Sequence, residues 1–133
     1  MADPSFEYRI DPDHSLAYAK LYGDVDGPFI ASRVRALRAD PEWSDAFDVI
    51  WDERDVAVLD ITLDGLEAMV DAQTDGQTGR DLVVSRRESR ADVLRLYAVR
   101  TRARGRPAEV CETLRDALGV LGLDALPAPL RLL

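Results

Sequence analysis

Six residues within one short stretch could do chemistry: Asp52, Arg54, Asp55, Asp60, Thr62 and Gly65. They fall in the run FDVIWDERDVAVLDITLDGL, Phe47 to Leu66. The pattern predicts an apolar strand ending at Asp52, a polar turn through Glu53, Arg54 and Asp55, and a helix opened by Thr62. Strand, loop and helix N-terminus form the layout on which open α/β sheets place their working surface. Three carboxylates could gather a divalent cation, since hard cations take oxygen ligands. Their spacing does not match an EF-hand loop, and Arg54 sits among them. Solvated or Arg-paired carboxylates are therefore expected, and no metal.

The Thr62 hydroxyl has two uses. As a helix N-cap it accepts a hydrogen bond from a backbone N–H. As a phosphorylation site it would place the phosphate at free N–H groups and the helix dipole, against repulsion from Asp60 and Asp64. Capping is the default. Ser85, Arg86 and Arg87 follow a predicted strand and could contact an anion at the sheet's C-terminal edge. The alternative is a solvated loop.

The chain has one histidine, His14, and one cysteine, Cys111. A His-dependent triad and a multi-His zinc site are hard to build from that inventory. There is no glycine loop to cradle phosphate and no nucleophile elbow. No catalytic residue and no cofactor are assigned.

A length of 133 residues fits one domain. The net charge of −8 opposes binding to nucleic acid. A basic cluster at Arg100, Arg102, Arg104 and Arg106 is expected to solvate a helix C-terminus and complement its dipole. The single cysteine excludes an internal disulfide and suits a reducing compartment. No signal peptide or apolar run of spanning length is seen, so a cytoplasmic location off the membrane is expected.

Positioning these residues requires the following elements. Phe6–Ile10 and Leu16–Tyr22 form a hairpin across Asp11-Pro12-Asp13-His14, and Gly23 ends it. Asp26 or Gly27 caps a helix whose Ile30, Val34 and Leu37 share a face. Val49-Ile50-Trp51 is a central strand. Leu63, Leu66, Met69 and Val70 form the buried stripe of the next helix. A strand at Asp81–Ser85 precedes a helix opened by a capping box at Ser89–Asp92, with Leu94, Tyr97, Ala98 and Thr101 on one face. Ala108–Glu112 is the last strand, and Thr113 caps the last helix. Trp51 and Tyr97 are expected in the core, with a ligand pocket as the alternative. The domain covers residues 1–123. The tail, 124–133, carries Leu126, Leu130, Leu132 and Leu133 and is expected to dock on its own domain or on a second subunit.

The order is β-β-α-β-α-β-α-β-α, a mixed sheet with packed helices. That order, with an Asp closing the middle strand and a hydroxyl at the next helix start, resembles the STAS domain of sulphate transporters and anti-sigma-factor antagonists. More closely it resembles the stand-alone SpoIIAA-like bacterial proteins. The resemblance spans Phe6 to Leu123. Asp52 fits the strand-end Asp, Asp60-Ile61-Thr62 fits the Asp-Ser-Ser step, and Gly65-Leu66 fits the Gly-Leu that follows. Ile61 stands in place of the first Ser, and Leu63-Asp64 intervene before Gly65. Both departures weigh against an inherited phospho-switch.

The resemblance implies an α/β SpoIIAA-like fold and a non-enzymatic regulatory or protein-interaction module. Its working face would run from Asp52 to Gly65, with a protein partner or a homodimer as its target. The alternative is a small-ligand domain taking an apolar or nucleotide-like molecule between helix and sheet. An enzyme ranks last.

Overall fold

A computed structural model of the chain describes residues 2–86 and 91–132. Arg87 and the start of the Ser89–Asp92 capping box lie outside the described residues. Five strands form one sheet in the order β1-β2-β3-β4-β5: Ser5–Asp11, Leu16–Asp26, Asp48–Asp60, Asp81–Val84 and Ala108–Cys111. β1 is antiparallel to β2, and the remaining pairs are parallel. Four helices connect or follow them: α1 (Gly27–Arg38), α2 (Leu63–Thr74), α3 (Ala91–Ala103) and α4 (Leu114–Val120). This is the mixed α/β order expected from the sequence.

Strand order equals chain order, so each parallel crossover advances in the same direction. Right-handed crossovers then place α1, α2 and α3 on one face of the sheet. That face holds the main core, including Val34, Leu37, Trp51, Leu66, Val70 and Tyr97. Alanines at 17 and 19 in β2 leave room for large rings on either side, and Phe6 of β1 stacks on Trp51 of β3 at 5.9 Å between centroids. The opposite face buries Leu16, Tyr18, Ile50, Leu82 and Val84 under Ala117 and Leu118 of α4. Leu130 of the tail is fully buried in that second cluster, with Leu126 and Leu132 packed against it.

Two strands run beyond their predicted ends. Gly23 does not end β2, and Asp52 does not end β3. Gly23 has φ +77° inside the strand, at one of two register shifts between β2 and β3. A side chain there would meet the Asp3 carbonyl at 2.2 Å, so glycine serves a bulge and a close approach. The other shift lies between Lys20 and Tyr22 on β2, opposite Asp52 and Asp55 on β3. Past these irregularities, Tyr22 to Asp26 pair with Asp55 to Asp60. Glu53, Arg54 and Asp55 are therefore strand residues, and Asp52 lies mid-strand where β4 ends.

Candidate functional site

The residues singled out in the sequence separate into two groups. Asp52, Arg54, Asp55, Ser85 and Arg86 gather midway along β3, beside the C-terminal end of β4. Asp60, Thr62 and Gly65 lie farther along, at the tip where β3 passes into α2.

In the first group, Asp52 is fully buried. Its carboxylate accepts from Arg54 Nε at 2.9 Å, from Arg54 Nη2 at 2.7 Å and from the Arg54 backbone N–H at 3.1 Å. The Tyr18 hydroxyl also donates to it. Burial pushes the Asp52 carboxyl up, but the Arg54 and Tyr18 hydrogen bonds outweigh that and hold it below its ordinary value. Burial and the Asp52 carboxylate hold the Tyr18 phenol above its ordinary value. With its lone pairs occupied, Asp52 is a poor general base, and Tyr18 is a poor acid. The unit clamps β2 to β3.

Beside it, Lys20 Nζ contacts Asp55 at 2.7 Å, and Arg86 Nη2 approaches Asp55 at 3.9 Å. The Lys20 ammonium lies 5.4 Å from the Tyr22 ring centroid. The carboxylates thus pair with cations, and Asp60 is not with them. Among the described residues no group of three or more His, Cys, Asp or Glu side chains is placed to hold a metal ion. The Ser85 hydroxyl is buried with no hydrogen-bond partner among the described residues, and Arg86 is exposed.

At the tip, Thr62 caps α2: its Oγ1 accepts from the Gly65 N–H at 3.1 Å. Asp26 caps α1 in the same way through Phe29 N–H at 2.8 Å. The two helix starts touch, and a side chain at Gly27 would meet the Gly65 Cα at 2.6 Å. Gly65 is therefore a packing residue. Asp26 and Asp60 are register partners between the strand ends, and Asp64 follows in the first turn of α2. Their negative charge opposes a phosphate on Thr62.

Arg100, Arg102 and Arg104 of the basic cluster are exposed around the C-terminal end of α3, and Arg106 is buried. Arg100 pairs with Glu67, and Arg104 bridges Glu67 at 3.2 Å and also pairs with Asp71, both on α2. Arg102 Nη1 donates to the Ala108 carbonyl at 2.7 Å. Arg106 is buried, donating to the carbonyls of Gly79 at 2.9 Å and Gln73 at 2.6 Å and to Gln73 Oε1 at 3.0 Å.

Beside Arg106 lies a second buried carboxyl, Asp81, which accepts from the Tyr97 hydroxyl. Sequence reasoning missed this network. The available signal was a charged residue directly preceding the apolar run Leu82-Val83-Val84. Burial raises the Asp81 pKa, against the opposing effects of Arg106 and of the Tyr97 hydrogen bond. A raised carboxyl contributes stability that is present below the unfolded value and lost as pH rises through the folded one. Asp81→Asn should therefore gain on the wild type as pH rises above 4, by up to about tenfold in the unfolding constant per pH unit. Urea denaturation from pH 4 to 8 measures this. A constant difference between the two proteins would refute it.

The remaining candidates carry no assembled chemistry. His14 Nδ1 lies 2.7 Å from Asp11 Oδ2 in the first turn. The buried Cys111 thiol is pushed up to about 11, by burial first and then by Glu109 and Asp116. Trp51 and Tyr97 are core residues. They line an interior space of about 10 Å³ between helices and sheet, room for one water molecule. No helix of the described residues is long and apolar enough to cross a membrane.

No family model and no curated protein matches the chain. Among solved structures it is similar to an uncharacterised protein from the DUF3478 family with a SpoIIAA-like fold, from Shewanella loihica PV-4. The identity is 14%, the TM-score is 0.59, and the alignment covers 91% of this chain and 95% of that one. A likeness at this identity establishes the fold: the sheet and its helices are SpoIIAA-like.

Proposed function

We propose that this chain is a non-enzymatic regulatory module that binds a protein partner through the tip where β3 passes into α2. One observation carries the reading. Leu63, 70% exposed, and Val58, 52% exposed, are the two most exposed large apolar side chains among the described residues. Both fall inside the segment from Asp52 to Gly65. Covering a side chain of this kind is worth about 1.5–3 kcal/mol. Asp60 lies between the two in the sequence and Asp64 follows Leu63, which suits a partner that offers basic as well as apolar groups. The lone cysteine fits action in the reducing cytoplasm. A ligand held in the interior between helix and sheet has less support, because the space beside Trp51 and Tyr97 is only about 10 Å³.

The test compares wild type with Leu63→Asp and Val58→Asp as baits, followed by titration of the recovered partner. Both positions are exposed, so the melting temperature should stay close to wild type. Leu63→Asp is expected to weaken binding at least about tenfold, equivalent to roughly 1.4 kcal/mol. Equal affinity of all three baits would overturn the reading, as would recovery of no partner.

A further inference from the structure

We propose that two copies of this chain pair through β5, forming an isologous dimer with Val110 on the two-fold axis. The surface is separate from the β3–α2 tip, so the two readings stand or fall independently.

β5 is an edge strand of only four residues. The carbonyls of Pro107 and Cys111 accept from Asp81 N–H at 2.8 Å and Ser85 N–H at 2.9 Å, so these residues turn their backbone toward β4. By alternation, Ala108 and Val110 turn theirs outward. Arg102 already occupies the Ala108 carbonyl at 2.7 Å. The outward N–H and C=O of Val110 make no hydrogen bond among the described residues.

The strand is flanked by a concavity on each face of the sheet. One, of about 640 Å³, lies on the α3 side and is lined by Leu94, Val99 and Val110. The other, of about 490 Å³, lies on the opposite side and is lined by Leu82 and Val120. Alternate side chains of an added strand point to opposite faces, so this edge has room for both sets. Val99 is 51% exposed and Val120 is 37% exposed, leaving apolar surface on both sides for the added strand to cover.

Local charge at this edge admits a second copy despite the net charge of the chain. The chain carries −8, and two acidic surfaces repel. The larger concavity is balanced, with Arg86, Arg95 and Arg102 against Asp92, Glu109 and Glu112. An antiparallel pair centred on Val110 exchanges both of its backbone hydrogen bonds with Val110 of the second copy. That register sets Ala108 opposite Glu112 of the second copy. Arg102, anchored at the Ala108 carbonyl, then faces that Glu112, and the two-fold repeats the pairing.

Analytical ultracentrifugation of the full chain over a concentration series tests the proposal, with hydrogen exchange at the Val110 amide. The expected result is a reversible species of twice 14.8 kDa, with Val110 protection rising as it forms. Val110→Pro removes an outward donor and leaves the β4 ladder intact, so it should give a folded monomer. Glu112→Arg, at an exposed position, should raise the dissociation constant at least about tenfold through like-charge contact with Arg102. A wild type that stays monomeric overturns the proposal. So does a dimer that survives both substitutions, or an edge that takes up only a foreign extended peptide.

Discussion

Arg106→Ala is expected to cost about 3–5 kcal/mol of folding stability, the range found when one member of a buried ionic network is removed. Arg106 is 1% exposed, among the most deeply buried large side chains of the protein. Its guanidinium satisfies two backbone carbonyls, Gly79 and Gln73, and the Gln73 side chain. Truncation leaves these acceptors buried without donors and opens a cavity where the side chain lay. Asp81 loses its neighbouring positive charge, and its pKa, already raised by burial, should rise further. Protonation then limits the Asp81 contribution, so most of the loss comes from the carbonyls. Arg106→Lys keeps the charge but cannot reproduce the fork of donors, so an intermediate loss is expected. Urea denaturation with an unchanged m-value is the measurement. A loss below about 1 kcal/mol, typical of a solvated surface arginine, would show that the network carries little.

Arg106 also shows where the sequence stops being informative. It looked like the last of four arginines spaced by two. Burial was decided by partners 27 and 33 residues away and by the turn at Gly105, where φ is +96°. No local pattern encodes such contacts. Features with local physics were legible. Asp26, Thr62 and Thr113 each cap a helix through a side chain that accepts an N–H three residues on. The alternation in Leu16–Tyr22 was legible because each face of β2 packs against its own cluster.

The extensions of β2 and β3 were hidden for the opposite reason. Gly23 and Glu53-Arg54-Asp55 resemble punctuation, but pairing between strand ends about thirty residues apart overrides local preference. The same extension placed Asp52 inside a strand and divided the expected site into a charged cluster and an apolar tip. Leu63 was expected in the buried stripe of α2 and is instead 70% exposed, because it opens the helix at the tip, while Leu66, Met69 and Val70 are buried. Val58 escaped notice because an isolated Val is ordinary until its exposure is known.

Asp52→Asn should be less stable than wild type by about 2–3 kcal/mol at neutral pH, the scale of hydrogen bonds to a buried charged group. The substitution keeps the shape and removes the charge. Arg54 and the Tyr18 hydroxyl then face an amide in which one position donates where the carboxylate accepted. The pH dependence distinguishes this from a packing defect. The Asp52 pKa is lowered in the folded protein, because the Arg54 and Tyr18 hydrogen bonds outweigh burial. Its contribution is therefore present above the unfolded value, near 3.8, and is lost as pH falls through the folded value. The gap between wild type and Asp52→Asn should be widest at neutral pH and close below pH 4, opposite in trend to Asp81→Asn. Tyr18→Phe removes one of the four bonds and should cost about 1 kcal/mol. It should also shift the acid transition of the wild type upward. In the double variant the two losses should sum to less than their separate values, because both act on one clamp between β2 and β3. Strict additivity, or a gap independent of pH, would mean that Asp52 contributes through shape and not through charge.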